Sequence, residues 1–257
     1  MTENLQLERE FMSISKVKFS LVVPMRNELE NIPEVINKSY ELINNRTNLE
    51  VIIVDNGSTD GSDLIFAKFY KVNYSDRMKL VKKEKNTGYG DGIIFGASFA
   101  SGDWLGWTHG DLQTDLNDTL KAIEIAETVE PNQFVLVKGK RSGRPPFDKF
   151  TSFFLTILNY LINRVYLQDM NGQPNWMPKD QWNQIKGIPS DSTFELNILT
   201  KLLRGNCMVL RFPVLFPKRI NGTGANERLS QKISFTIKSI QAMWNVRRQN
   251  ATSETSS

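Results

Sequence analysis

The sequence predicts an α/β fold with a mainly parallel central sheet flanked by helices. Short apolar runs alternate with segments of helical periodicity over residues 17–141, a pattern typical of parallel strands joined by crossover helices. The apolar runs are also continuous rather than alternating, as expected for strands that are covered on both faces.

The elements follow in order from the spacing of apolar residues and the turn residues between them. Residues 19–23 form an apolar run that ends at Pro24, and the apolar spacing of residues 29–43 predicts the next helix, with Asn27 as its cap. The remaining predicted elements are a strand at 51–54, a helix at 63–70, a strand at 78–84, a helix at 93–100, a strand at 103–109, a helix at 114–129, a strand at 134–141, and helices over 151–167, 193–203 and 234–250.

The chain organisation predicted from composition is one domain with two flanking segments. We assign residues 1–16 to a polar leader, 17–225 to a single domain and 226–257 to a basic amphipathic tail. One cysteine, Cys207, excludes internal disulfides and cysteine-cluster zinc sites. The leader lacks the pattern of a secretion signal, and no run of apolar residues is long enough to span a bilayer. We therefore expect a cytoplasmic protein, either free or peripheral on the cytoplasmic face of a membrane.

Charge is distributed unevenly along the chain. Residues 1–137 carry 21 acids and 14 bases, whereas residues 138–257 carry 7 acids and 18 bases. A basic half favours anionic partners such as phosphates or an anionic membrane surface, although a solvated basic face gives the same composition. Nucleic acid is not expected, because the sequence does not place basic and aromatic residues on a shared groove. The segment 151–167 is interpreted either as a buried helix or as a helix lying on a membrane.

Polar clusters follow four of the predicted strands. They read PMRNE, DNGSTD, HGDLQTD and KGKRSGR. The carboxyl ends of parallel strands share one edge of a sheet, where ligands bind in such folds. The four clusters therefore predict one site.

The segment WTHGDLQTDL contains the metal-binding candidates. His109 and Asp111 are two residues apart at a strand end and so point the same way, and Gln113 continues the series. A hard divalent cation held by few protein atoms can neutralise a diphosphate, and an imidazole ligand suits Mn²⁺ better than Mg²⁺. Alternatively, His109 only hydrogen-bonds a neighbour. The nearby GYGDG lacks the spacing of a dinucleotide fingerprint and is interpreted as a turn that opens a helix.

Four motifs together resemble a known family. FSLVVPMRNELENI, LEVIIVDNGSTDGS, NTGYGDG and HGDLQTD occur in the order and spacing of the family 2 glycosyltransferases. The resemblance implies the GT-A fold and inverting transfer from a UDP- or GDP-sugar. It makes residues 17–145 the nucleotide-sugar half and 146–225 the acceptor half. GKRSGRP and FPVLFPKRINGTG further resemble the polyprenyl-phosphate sugar synthases, which implies a polyprenyl phosphate or saccharide acceptor in cell-surface polysaccharide or glycolipid assembly.

The resemblance also implies roles for individual residues. The nucleotide-sugar-binding residues are Pro24, Arg26, Glu28, Asp55, Asn56, Gly110, Asp111, Arg141 and Arg219, and the ligands of Mg²⁺ or Mn²⁺ are His109, Asp111 and Gln113. His109 and Asn56 stand where the family usually has aspartates. A catalytically silent sugar-nucleotide or membrane-binding module is therefore the alternative function.

The acceptor decides whether a catalytic base is required. A lipid phosphate is already anionic at neutral pH, whereas a sugar hydroxyl needs a carboxylate to take its proton. The candidates are Asp169, Asp191 and Glu195, of which Asp191 could instead cap the following helix. Residues 169–176 are interpreted as an acceptor-side loop, and Trp176 and Trp182 as either sugar-stacking or core residues.

Overall fold

A computed structural model describes residues 17–72, 75–143, 146–217 and 229–254. In chain order the elements are β1 Phe19–Met25, α1 Ile32–Asn45, β2 Leu49–Asn56, α2 Ser62–Val72, β3 Met78–Lys83, α3 Tyr89–Ala97, β4 Trp104–Trp107, α4 Asp118–Glu127, β5 Val135–Ser142, α5 Pro146–Asn163, β6 Asn175–Pro178, α6 Lys179–Gln184, α7 Phe194–Arg204, β7 Met208–Leu215 and α8 Leu229–Glu254. The predicted leader, residues 1–16, and Arg219 lie outside the described residues.

The strands form one seven-stranded sheet in the order β3-β2-β1-β4-β6-β5-β7. β1, β2, β3 and β4 pair in parallel, as do β5 and β7, while β6 runs antiparallel between β4 and β5. The prediction of a mainly parallel sheet flanked by helices is therefore confirmed. The boundary that we predict at residues 145–146 falls between β5 and α5, and β6 and β7 complete the same sheet.

Two apolar layers cover the sheet, one on each face, so its central strands are buried on both sides. Phe19, Leu21 and Val23 of β1 face the layer that contains the inner side of α1 and α4. Val22 faces the opposite layer, which contains inner residues of α3, α5, α7 and α8. Alternate residues of one strand thus belong to two cores, as the pleat of a strand requires.

Several local expectations are corrected by the structure. The cap of α1 is Asn31 rather than Asn27, whose φ of 52° places it in a tight turn before the helix. Residues 169–176 are not entirely a loop, because Asn175 and Trp176 begin the central strand β6. Trp176 and Trp182 are both buried in the core, which decides against sugar stacking.

Candidate functional site at the carboxyl edge of the sheet

The predicted site lies along the carboxyl ends of β1, β2 and β4. Met25 at the end of β1 pairs with Asp55 of β2, and Val22 pairs with Trp107 at the end of β4. The connections that follow these three strands therefore leave the sheet side by side. This register brings the PMRNE, DNGSTD and HGDLQTD clusters to one edge.

The connections after β1 and β2 are joined by hydrogen bonds. The backbone N–H of Asn27 donates to Ser58 Oγ at 3.0 Å, and Asn27 Oδ1 accepts from the N–H of Thr59 at 2.9 Å. Beside this junction Arg26 is exposed, and Glu28 is half-buried and accepts from Asn31 Nδ2 at 2.6 Å. Both predicted binding residues are thus held on a fixed loop at the site.

Asp55 and Asn56 are buried at the end of β2. Asp55 Oδ1 accepts from the N–H of Ser58 at 3.0 Å, and Asn56 Nδ2 donates to the carbonyl of Gly88 at 2.8 Å. Asp55 Oδ2 and Asn56 Oδ1 are buried without a hydrogen-bonding partner among the described residues. Because an unsatisfied buried acceptor is unfavourable, these two oxygens mark a place where a ligand can donate.

Two glycines let the neighbouring segments approach β1 closely. A Cβ on Gly92, in the first turn of α3, would lie 2.9 Å from Asn56 Nδ2 and 3.0 Å from Pro24 Cβ. A Cβ on Gly110 would lie 2.4 Å from Met25 Cγ. The predicted residues Pro24 and Gly110 therefore take part in close packing against Gly92 and Met25, respectively.

The segment after β4 places the metal-binding candidates beside α3. The rings of His109 and Tyr89 are 5.1 Å apart, and Asp111 Oδ1 accepts from the N–H of Gln113 at 3.1 Å. Gln113 Nε2 in turn donates to the carbonyl of Pro217 at 3.2 Å, which connects this segment to the chain after β7. Burial, followed by the negative charges of Glu195 and Asp111, raises the pKa of Tyr89 well above its usual value, so its hydroxyl stays protonated.

The donor chemistry at this segment fits a divalent cation that is shared with a phosphate ligand. The described part of the chain has no group of three or more His, Cys, Asp or Glu side chains that could hold a metal. The predicted ligands His109 and Asp111 would supply one imidazole and one carboxylate, which is too few for a site made by protein alone. Hard cations in nucleotide sites are commonly bound by one or two carboxylates plus the substrate phosphates.

A buried polar network lies below this segment. Glu195 Oε1, at the start of α7, accepts from Trp107 Nε1 at 2.8 Å and from Gln173 Nε2 at 2.9 Å. Glu195 Oε2 is 3.8 Å from Lys138 Nζ in β5. Gln173 Nε2 also donates to the hydroxyl of Tyr89 at 2.5 Å. One amide thus links the buried Lys138–Glu195 pair to the ring that packs on His109.

The other two predicted bases differ sharply in environment. Asp169 is held by Arg141, which donates to it from its backbone N–H at 2.6 Å and from Nε at 2.9 Å. Burial acts to raise the pKa of Asp169, but the hydrogen bonds and charge of Arg141 outweigh it and hold that pKa below its usual value. Asp191 is exposed and accepts from the N–H of Thr193 at 2.8 Å, next to the N-cap of α7. Its backbone carbonyl accepts from the N–H of Gly90, which places Asp191 beside the start of α3.

The structure thus groups most of the predicted residues and separates a few. Pro24, Asp55, Asn56, Gly110, Asp111 and His109 adjoin one another, and Arg26, Glu28 and Asp191 border them. Glu195 is buried in the network below, and Arg141 with Asp169 forms a separate pair between the end of β5 and the chain before β6. Their catalytic and binding roles stay predictions.

Sequence reasoning missed Lys138, Gln173 and Tyr89. A lysine inside the apolar run FVLVKGK was a usable signal, because a charge at an inward strand position must find a buried partner. Gln173 and Tyr89 gave no such signal, since polar residues next to Pro or Gly are ordinary in loops.

A cavity of about 630 Å³ lies at the opposite edge of the sheet. It is lined by residues at the amino ends of β1 and β4, among them Lys18 and Trp104, together with Glu127 and Gln181. None of the predicted binding residues lines it, and ligands in open α/β sheets bind at carboxyl ends. We therefore place the site at the carboxyl edge despite the size of this cavity.

Comparison with known sequences supports the same region. The profile described as "Glycosyl transferase family 2" matches residues 20–182. A dolichyl-phosphate beta-glucosyltransferase of Dictyostelium discoideum is 25% identical over 155 residues, which cover 57% of this chain and 47% of that protein. The chain spans about half the length of the curated relatives it matches.

Comparison with solved structures identifies the fold. Glucosyl-3-phosphoglycerate synthase of Mycobacterium tuberculosis, bound to Mn²⁺, UDP-glucose and phosphoglyceric acid, superposes with a TM-score of 0.70 at 16% identity over 90% of this chain and 79% of that one. A mannosyltransferase of Pyrobaculum calidifontis, bound to GDP-mannose and Mn²⁺, gives a TM-score of 0.60 at 17% identity over 90% of this chain and 70% of that one. The GT-A fold that the motifs predicted is therefore confirmed.

Proposed function

Because the chain belongs to glycosyl transferase family 2, we propose that it transfers a sugar from a UDP- or GDP-sugar to a polyprenyl phosphate. In this reaction the anomeric carbon forms a bond to an acceptor oxygen as its bond to the diphosphate oxygen breaks, with inversion. The product serves cell-surface polysaccharide or glycolipid assembly on the cytoplasmic face of a membrane. No helix in the described ranges combines the length and hydropathy needed to cross a bilayer.

The observation that carries the proposal is the pair of unsatisfied acceptors at the end of β2. Asp55 Oδ2 and Asn56 Oδ1 are buried and lack donors from the described residues. The imino N–H of uracil or guanine and the ribose hydroxyls are donors of the right kind. We also assign Arg26 and Glu28 to this nucleoside, and the hydrogen bonds that hold their loop beside the end of β2 support the assignment.

The diphosphate is assigned to the segment after β4. Asp111 and His109, with Gln113 as the third predicted ligand, would hold Mn²⁺ or Mg²⁺ there, and the bound cation would offset the negative charge that develops on the leaving diphosphate. Both solved relatives named above contain Mn²⁺ together with a nucleotide sugar. Tyr89 packs on His109 and so fixes the position of its ring.

Arg141 is the second candidate for phosphate contact. The guanidinium of Arg141 donates to Asp169 from Nε and Nη2, and its central carbon lies 5.0 Å from the centre of the Phe216 ring. A guanidinium has five N–H donors, so the pair leaves donors for a phosphate while it fixes the plane of the group. Arg219, which we also assign to phosphate binding from the resemblance, lies outside the described residues.

The environments of the carboxylates favour an acceptor that needs no base. Glu195 is buried among donors, and Asp169 has a lowered pKa and is paired with Arg141. A group with a lowered pKa is a poorer proton acceptor. The Dictyostelium relative is by name a dolichyl-phosphate transferase, which agrees with an anionic lipid acceptor. If a saccharide is the acceptor instead, exposed Asp191 is the best placed of the three.

The test combines binding and turnover. UDP and GDP are titrated calorimetrically with and without Mn²⁺, and nucleoside diphosphate release is followed for a panel of UDP- and GDP-sugars with a short-chain polyprenyl phosphate or a saccharide. We expect Asp111→Asn to abolish the metal-dependent part of nucleotide binding. Asp115→Asn is the matched control, because Asp115 lies in the same segment but pairs with Lys38 at 3.5 Å.

Four outcomes decide among the alternatives. Release only with the lipid phosphate supports the proposal, and release only with a saccharide replaces the acceptor. Nucleotide binding without release from any donor favours the catalytically silent module. Equal metal dependence in Asp111→Asn and the unaltered protein would remove the metal assignment.

A further inference from the structure

α5 is apolar on its outward side as well as on its inward side, where Leu155 and Ile162 lie in the core. Its outward side presents a continuous apolar stripe, consisting of Phe150, Phe153, Phe154, Ile157, Tyr160 and Leu161. Its inward side contains Thr156, Asn159 and Asn163, all of which are buried. A helix that borders water normally has polar residues on its outward side, so the outward side of α5 is built for a surrounding other than water.

The inward side of α5 is fixed in this orientation by hydrogen bonds. Asn159 Nδ2 donates to the carbonyl of Val165 at 2.9 Å, and Asn163 Nδ2 donates to the carbonyl of Met243 at 3.1 Å. Thr156 Oγ1 donates to the carbonyl of Ser152 at 2.9 Å. Rotating the helix to bury its aromatic side would carry these amides out of the core and leave the carbonyls of Val165 and Met243 without these donors, which is unfavourable.

A second apolar stripe lies on α8, which packs against α5. It consists of Ile233, Ile237 and Trp244, each about half exposed. The two helices are joined at their contact, where Arg247 donates to the carbonyl of Ile162 at 2.7 Å. Their inner residues belong to the same core layer, so both stripes lie on one side of the molecule. We call these nine side chains the α5–α8 face.

The α5–α8 face concentrates the exposed apolar side chains of the protein. Nine of the fifteen large apolar residues that are exposed in the described part of the chain lie on it. Contiguous patches of this kind are rare on monomeric soluble proteins and mark interaction sites. Its composition of Phe, Tyr, Trp, Ile and Leu is that of helices lying at a bilayer interface.

The charged side chains that the structure describes around the face are cations. Exposed cations border it at Lys149, Arg164, Lys238, Arg247 and Arg248. The side chains of α5 and α8 that the structure describes include no acid. A rim whose described charges are cations opposes contact between two copies of the same face, because a two-fold interface places each patch against itself. The same rim is complementary to anionic lipid headgroups.

We propose that the α5–α8 face lies on the surface of an anionic lipid bilayer, with the apolar stripes in the headgroup region and the cations on lipid phosphates. This inference rests on the proposed function, in which the acceptor is a lipid in that bilayer. α5 begins at Pro146, just past the end of β5 that carries Arg141. Docking by this face thus brings the bilayer next to the carboxyl edge, where a lipid phosphate can reach the donor sugar.

The test measures co-sedimentation with vesicles. The protein is mixed at low salt with vesicles of phosphatidylglycerol and phosphatidylcholine, or of phosphatidylcholine alone. We expect it to pellet with the anionic vesicles and to be released at high salt. Phe150→Ser/Phe153→Ser/Leu161→Ser should lower the partition coefficient at least about tenfold, because three exposed apolar side chains leave the interface. Leu64→Ser/Leu215→Ser is the matched control, since both residues are exposed but lie off the face.

Two results would overturn the proposal. One is that the unaltered protein stays in the supernatant with anionic vesicles. The other is that the triple variant pellets as well as the control. Size-exclusion chromatography tests the alternative that a second copy of the chain covers the face. If the unaltered protein forms an oligomer that the triple variant does not, and does not bind vesicles, the face is assigned to a second copy.

A detergent assay separates this proposal from the function on which it rests. Nucleoside diphosphate release is measured with a detergent-dispersed short-chain polyprenyl phosphate, which needs no bilayer. Nucleoside diphosphate release without vesicle binding refutes the membrane role of the α5–α8 face and supports the transferase function. Vesicle binding that the triple variant loses, without release from any donor, supports the face and refutes the transferase.

Discussion

Replacing Lys138 by methionine should change how the stability of the protein depends on pH. Lys138 is fully buried in β5 and donates to the carbonyl of Gly172 at 2.6 Å and to Asn175 Oδ1 at 2.8 Å. Burial lowers the pKa of Lys138 from 10.5 to about 8, although the nearby negative charge of Glu195 opposes the shift. Methionine has a similar length and cannot be charged, so the substitution removes the titration with little change in volume.

The direction of the change in stability with pH depends on whether the folded or the unfolded chain binds the Lys138 proton more tightly. Between pH 8 and 10.5 the unfolded chain keeps the lysine protonated and the folded chain does not. Stability therefore rises with pH in this window, because the unfolded state binds more protons. With these two pKa values, Lys138 should add about 2 kcal/mol to the free energy of unfolding between pH 7.5 and pH 9.5. Lys138→Met should lack this gain.

The substitution should also destabilise the protein at neutral pH. It leaves the Gly172 carbonyl and the Asn175 amide oxygen without the lysine donor, at about 1–3 kcal/mol for each group. It also leaves Glu195 without its buried cation. Removing the buried lysine charge partly offsets this loss, because the lowered pKa of Lys138 shows that its protonated form is unfavourable in the folded protein. We expect a net loss of about 2–4 kcal/mol at pH 7.5 that widens at pH 9.5.

Urea unfolding followed by tryptophan fluorescence measures both effects, since Trp107 and Trp176 are buried and report on the core. Lys121→Met is the matched control, because Lys121 is an exposed lysine on α4 whose pKa is raised by the hydrogen bond and charge of Asp118. A difference between the unaltered protein and Lys138→Met that stays constant from pH 7.5 to 9.5 would refute the reasoning. It would show that the lysine titrates outside this window.

Three further predictions concern single groups. Gly92→Ala would place a Cβ 2.9 Å from Asn56 Nδ2, so it should destabilise the protein by about 1–3 kcal/mol and weaken nucleotide binding by calorimetry. Arg141→Gln removes the partner that lowers the pKa of Asp169. The pairing with Arg141 stabilises the folded protein fully above pH 3.8, the ordinary pKa of an aspartate, and this stabilisation is lost as the pH falls below that value. Acid unfolding should therefore be less steep in this variant, as measured by circular dichroism. Burial raises the pKa of the Cys207 thiol to about 12, so it should react with a disulfide reagent at pH 8 at least about 10³-fold slower in the folded protein than in urea.

The sequence predicted the parallel part of the sheet well because the relevant signals are local. β1 and β2 are buried on both faces and therefore appear as unbroken apolar runs, and the polar residues that follow them mark their ends. Asp55 and Asp111 could be assigned to one site from this alone, since parallel strands share an edge. β1 and β4, whose pairing brings Asp111 to this edge, are far apart in the chain. However, the carboxyl ends of these strands would meet at one edge in any parallel order of them.

The antiparallel strand β6 could not be predicted in the same way. It has four residues, NWMP, which follow a proline and are too few to show a period. Its position between β4 and β5 is set by contacts with both, including the packing of Trp176 against Gly106, where a Cβ would lie 2.4 Å from the indole. Such complementarity between a glycine and a tryptophan distant in sequence becomes visible only in the folded chain.

The orientation of α5 was ambiguous for a related reason. Apolar residues on most sides of a helix are expected both for a buried helix and for one at a membrane surface, and periodicity does not distinguish them. The decisive information is which side meets the core. Asn159 and Asn163 face inward because the chain after α5 and the backbone of α8 offer carbonyls there.

The buried network and the surface at α5 meet at β5. Lys138 in the middle of this strand pairs with Glu195, and Arg141 near its end pairs with Asp169. Gln173, which follows Asp169 in the chain, connects the first pair to Tyr89 and through its ring to His109. The network therefore spans the sheet from the candidate donor site to the strand that leads into the proposed membrane face. Since hydrogen bonds, an ion pair and a ring contact join its members, displacement of one removes partners of the others, and Lys138→Met should alter nucleotide affinity, measured by calorimetry, as well as stability.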